Sequence, residues 1–70
     1  MPNIIIFYFN GQKYSTVASM TIRDLLNYFN CKSILFVIEY NNYICSQKEW
    51  DKIRIIDNDK IELITIVGGG

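Results

Sequence analysis

Asn10-Gly11 is the feature that most narrows what this chain can become. An Asn-Gly pair satisfies both left-handed positions of a type I′ turn, whose twist matches that of two antiparallel strands. The run before it, Asn3-Ile4-Ile5-Ile6-Phe7-Tyr8-Phe9, is β-branched and aromatic and suits a strand with one face well buried. Gln12 to Thr16 reads as the returning strand, with Tyr14 and Val17 facing inward. The chain therefore opens with a β-hairpin. A lone hairpin is marginal in water, so the rest of the sequence must supply its cover.

That cover is legible downstream. Thr21-Ile22-Arg23-Asp24 fits a capping box: the Thr hydroxyl can accept the Asp24 amide, and the Asp carboxylate can reach back. Ile22, Leu25, Leu26 and Phe29 recur at helical spacing and make one apolar stripe. A helix of about two turns, ending near Asn30, follows from that spacing. The stripe reads as core, since one small sheet needs one helix to cover it. Ser33 to Tyr40 is a continuous apolar run and reads as a strand in the sheet interior. Asn41-Asn42 is a turn pair and Tyr43-Ile44-Cys45 a short paired strand. Ser46 to Trp50 can form one helical or 3₁₀ turn, with Trp50 as a lid on the core. Asp57-Asn58-Asp59 is a tight turn rather than a calcium loop, which needs many more oxygen ligands at set spacings. Lys60 to Val67 is the last strand, with Ile61 and Leu63 on one face and Glu62, Ile64 and Ile66 on the other. The order gives an α+β fold: a mixed sheet of four to five strands packed on one main helix. It is a β-grasp if the first and last strands lie side by side in parallel, a pairing the alternation of faces does not itself specify.

Composition removes several function classes. The chain has 70 residues, enough for one small core. Its formal net charge is zero and no Lys/Arg cluster stands out, which argues against nucleic-acid binding. No apolar run approaches the roughly 20 residues of a membrane span. Met1-Pro2-Asn3 lacks the basic start of a signal peptide, so an intracellular protein is expected. The usage, heavy in Ile, Asn, Lys and Tyr, suits an AT-rich coding sequence such as an organelle genome, so the setting is cytoplasm or plastid stroma. There is no histidine, so Ser-His and Cys-His nucleophile pairs cannot be built within the chain. Cys31 and Cys45 cannot form a four-ligand zinc site alone, and both are read as structural. No metal site, no bound cofactor and no catalytic residue is expected.

The chain closes on Val67-Gly68-Gly69-Gly70. Residues 1–67 form the expected folded body and residues 68–70 a flexible tail. Glycine has no Cβ, so such a tail can thread a channel too narrow for other residues, with the Gly70 carboxylate at its tip. On the tail alone, an ordinary frayed terminus or a cloning remnant is the simpler explanation.

Taken with the rest, these residues resemble the ThiS family, the small sulfur carriers of thiazole formation in thiamine biosynthesis. The resemblance rests on Asn10-Gly11, Thr21 through Leu26, Asn41, Glu49-Trp50, Asp57, Asp59, Ile61-Glu62 and the Val67-to-Gly70 ending, and covers nearly the whole chain. Asn42 and Asn58 stand where the family usually has glycine, and Ser46-Gln47 where it usually has Pro-Arg. The resemblance implies a ubiquitin-like β-grasp and a carrier rather than an enzyme. A ThiF-like adenylating enzyme would use ATP to convert the Gly70 carboxylate to an acyl-adenylate. Sulfur drawn indirectly from a cysteine desulfurase would make it a thiocarboxylate, which would serve thiazole synthase. Gly68 and Gly69 would be needed for threading, and Ile66, Val67 and one or two tyrosines are the candidate partner surface. Alternatives are a carrier like the small subunit of molybdopterin synthase, a ubiquitin-type protein modifier, and a non-catalytic β-grasp module that only binds a partner.

Overall fold

The structure is a computed structural model that describes residues 3–31 and 35–66. Its elements are strand β1 (Ile5–Phe9), strand β2 (Gln12–Thr16), helix α1 (Ile22–Tyr28), strand β3 (Phe36–Tyr40), strand β4 (Tyr43–Cys45), a 3₁₀ turn (Gln47–Glu49) and strand β5 (Lys60–Thr65). The five strands form one sheet in the order β2-β1-β5-β3-β4. β1 and β5 run parallel, with Tyr8 opposite Lys60 and Phe9 opposite Ile61; the other pairs are antiparallel. That central parallel pair completes a β-grasp.

The turns form where the local chemistry demands them. Asn10 and Gly11 sit at φ 52° and 80°, the left-handed pair of the expected type I′ turn. Asn42 and Asn58 also lie at positive φ, 70° and 71°. Asparagine tolerates this region far better than most side-chain-bearing residues, so these two positions keep a glycine-like backbone without glycine. Thr21 Oγ accepts from the Asp24 amide (3.1 Å) and the Asp24 carboxylate accepts from the Thr21 amide (3.0 Å), closing the capping box. The helix ends at Phe29, and Asn30 turns left-handed at φ 58°.

One face of the sheet packs on α1. Phe7, Phe9, Ile38 and Ile61 from the sheet meet Ile22, Leu25 and Leu26 from the helix, all buried. Trp50 is 4% exposed and stacks on Phe36 with ring centroids 5.4 Å apart, so it is a core lid rather than a partner contact. Its buried indole N–H has no hydrogen-bond partner, and burial pushes the neighbouring core thiol of Cys45 up in pKa. Both cysteines are free thiols; Cys45 is buried and Cys31 half-buried.

Several expectations need correcting. Val17 does not face inward: it lies past the end of β2 and is 63% exposed. β1 starts at Ile5 rather than Asn3, and β3 at Phe36. β5 ends at Thr65, with Val67 outside the described residues. Ile55, which no periodic pattern marks, is fully in the core. An isolated bridge between Thr21 and Arg54 and the Ile55 amide bonded to the Met20 carbonyl (2.9 Å) hold it there. The expected division at residues 67 and 68 falls on residues the structure does not describe.

Candidate functional site

Among the described residues, no helix lies over the other face of the sheet. Because β-strand side chains alternate, Phe7 and Ile61 inside require Ile6, Tyr8, Glu62 and Ile64 outside. The register then sorts this face into rows. Val37 on β3 stands opposite Ile64 on β5, and Glu39 stands opposite Glu62. Ile44 on β4 stands opposite Glu39. Past the strand ends, the Ile66 amide donates to the Leu35 carbonyl (2.9 Å) and prolongs the β3–β5 pairing. Leu35 is 69% exposed, Ile66 48% and Ile64 41%. Two successive apolar pairs, Leu35–Ile66 and Val37–Ile64, therefore sit at the end of β5 from which the chain runs on to Val67. Leu35, Ile64 and Ile66 are exposed and Val37 is half-buried, and together they form the candidate partner surface.

β5 is pinned on the side of the first hairpin by side chains. The Asn10 Oδ1 accepts from the Leu63 amide (2.9 Å), continuing the pairing beyond the end of β1. At the other end Asp59, 3% exposed, gathers three donors: the Tyr40 hydroxyl (2.6 Å), the Ile56 amide (2.7 Å) and the Asn41 carboxamide (2.9 Å). Burial and the bond to Asp59 push the Tyr40 hydroxyl pKa up to about 12. The Asp57 carboxylate accepts from the Ile6 amide (2.8 Å) and ties the same turn to β1. The two acids of this turn are thus spent on backbone and side-chain bonds within the fold. After β4, the Ser46 amide donates to the Glu49 carboxylate (2.8 Å) and holds its pKa below the ordinary value, and Glu49 in turn raises that of the Tyr43 hydroxyl.

Of the residues expected to meet a partner, Ile66 lies in the apolar patch, while Val67, Gly68, Gly69 and Gly70 lie outside the described residues. Of the tyrosines, Tyr8 lies on the open face, opposite Lys60. Leu35, Val37 and Ile44 were not singled out in the sequence. The signal was there: the run from Ile34 to Ile38 is apolar on both of its faces, and α1 covers only one.

The profile of the ThiS family matches residues 7–70. The chain belongs to the ThiS family. It is 58% identical over 64 residues to a protein named ycf40 from Trieres chinensis, covering 91% of this chain and 88% of that one. It is 32% identical over 50 residues to the sulfur carrier protein ThiS of Bacillus subtilis, covering 71% and 76% of the two chains. It also matches a thiazole synthase of Paramagnetospirillum magneticum, 31% identical over 61 residues, covering 87% of this chain but 19% of that protein. Among solved structures, a thiamine biosynthesis protein (ThiS) from Geobacter metallireducens superposes with a TM-score of 0.81 over 94% of this chain and 100% of that one. At 20% identity that likeness speaks for the fold.

Proposed function

We propose that this chain is a sulfur carrier whose Gly70 carboxylate is activated and converted to a thiocarboxylate by partner enzymes. The observation that carries the reading is the match to the ThiS family up to Gly70, on a body whose open apolar face adjoins the strand leading to that residue. A carboxylate is a poor electrophile. Its attack on the α-phosphorus of ATP, with loss of pyrophosphate, turns the carbonyl into an acyl-adenylate. The terminal sulfur of a persulfide then adds at that carbon and AMP leaves, giving an acyl disulfide; a second thiol attacks the outer sulfur, forming a disulfide and releasing the thiocarboxylate. None of these steps calls on a side-chain base or nucleophile of the carrier, which has no histidine to offer. The carrier's part is to present its carbonyl on a bare backbone, while the partner's enclosure orients it and keeps water out. Binding strength then has to come from the body, and the Leu35–Ile66 and Val37–Ile64 pairs are the exposed apolar area nearest the departing chain.

A ThiF-like adenylating enzyme and a persulfide supplied through a cysteine desulfurase fit these steps. Thiazole synthase is the proposed acceptor of the sulfur, favoured over a molybdopterin destination by the relative of that name. The plastid stroma, for an organelle-made protein, or the cytoplasm is the proposed setting. Incubation with ATP, the cognate adenylating enzyme and a sulfur source should shift the intact mass by one oxygen replaced with sulfur, at the C-terminus. No shift with a competent partner would overturn the reading. Deleting Gly69-Gly70 should leave the melting temperature nearly unchanged and abolish loading; a large loss of stability would show that the tail serves the fold instead.

A further inference from the structure

The open face contains one pairing that the fold itself does not explain. Glu39 and Glu62 stand directly opposite each other on the adjacent strands β3 and β5. Directly opposed like charges destabilise a sheet. Among the described residues neither glutamate has a cation within ion-pair distance; the ion pair found there is Arg23–Asp51, at the start of the helix. Lys60, on the same face of β5, stands opposite Tyr8 on β1 and Asn41 beyond β3 rather than either glutamate. Solubility alone would be served as well by a lysine opposite a glutamate, without the repulsion. Apolar side chains adjoin both acids: Val37 and Ile64 form the next pair along, and Ile44 lies across from Glu39.

We infer that this face docks on a surface of the adenylating enzyme that is apolar and carries an arginine placed between Glu39 and Glu62. Opposed cross-strand side chains start about 5 Å apart, so the planar fork of one guanidinium can bond both carboxylates at once. The aliphatic surround would cover Ile64, Val37, Ile44 and Ile66 and strip water from the pair. The unfavourable repulsion in the free carrier becomes favourable attraction only when that cation arrives. The activating step is where such a reading of the body is needed. A glycine carboxylate is a chemically ordinary chain end, whereas the thiocarboxylate made from it is a distinctive group that a later partner can recognise by itself. The inference rests on the carrier reading above and adds to it what the partner surface must contain.

The test uses full-length wild type, Glu39→Gln, Glu62→Gln and the double variant with the adenylating enzyme of the same host. Loading is followed by intact mass, and KM and kcat for the carrier by ATP–pyrophosphate exchange at two salt concentrations. Each Gln variant should melt no lower than wild type, because the repulsion is relieved. KM should rise at least about tenfold with kcat little changed. The salt dependence of KM should flatten in the double variant. Unchanged KM in a wild type that loads normally would overturn the docking inference and leave the carrier reading standing. A wild type that does not load would overturn both. Normal activation by the variants with impaired sulfur delivery to thiazole synthase would overturn the assignment to the adenylating enzyme. A fall in melting temperature matching the loss of affinity would show the glutamates to be structural.

Discussion

Replacing Tyr40 by Phe isolates the knot that fastens the start of β5. The substitution removes one hydroxyl and leaves the ring. Asp59 keeps its bonds from the Ile56 amide and the Asn41 carboxamide but loses the short one from Tyr40. A hydrogen bond to a charged group contributes about 1.5–3 kcal/mol. For a domain of this size that corresponds to a fall in melting temperature on the order of 10 °C. The pH dependence is the sharper test. The folded pKa of Tyr40, about 12, lies above the value near 10 of an unfolded tyrosine. A raised folded pKa means that the contribution is complete below pH 10 and is lost as pH rises from about 10 to about 12. At about 1.4 kcal/mol per unit, wild type should lose roughly 1.4 kcal/mol of its advantage over Tyr40→Phe by pH 11. The other tyrosines cancel in that difference. Urea unfolding of both proteins at pH 8, 9, 10 and 11, followed by far-UV circular dichroism, measures it. A gap that stays constant across this range, or is absent at pH 8, would refute the argument that the hydroxyl works through Asp59.

Two further perturbations test the local rules that build the body. Asn58→Gly should leave the urea midpoint nearly unchanged, whereas Asn58→Ala should cost about 1 kcal/mol, because only the latter strains a backbone at φ 71°; equal midpoints would show that the turn relaxes. Glu49 has a depressed folded pKa, so its stabilisation is present above the unfolded value near 4.5 and fades as pH falls through the folded one. Glu49→Gln should therefore be less stable than wild type at pH 7 and match it more closely by pH 3; a gap unchanged between those pH values would contradict the role of the Ser46–Glu49 bond.

The parts of the fold that rest on neighbouring residues were legible in the sequence. Asn10-Gly11 set the first hairpin, Thr21 with Asp24 started the helix, and Asn41-Asn42 placed β4, because each carries its own backbone preference. The central β1–β5 pairing was not legible in the same way. Its partners, such as Phe9 and Ile61, lie far apart in sequence, and alternation tells which face a residue takes but not which strand lies beside it. Val17 misled because a β-branched residue just after a strand looks like its continuation, yet the chain bends away there. Ile55 was missed because it is buried by two long-range backbone contacts and not by any period. The candidate partner face was half legible. Ile66 could be named from the tail, but Leu35 and Val37 looked like interior residues, since an apolar run reveals nothing about what lies over it.

The position of β5 has a consequence for how the protein is made. It is the middle strand of the sheet and also the last to be synthesised. Until it arrives, the β2-β1 ribbon and the β3-β4 ribbon each expose a raw, apolar edge with nothing between them. A chain that stops short of β5 therefore has no closed sheet to shelter in and is open to proteolysis or aggregation.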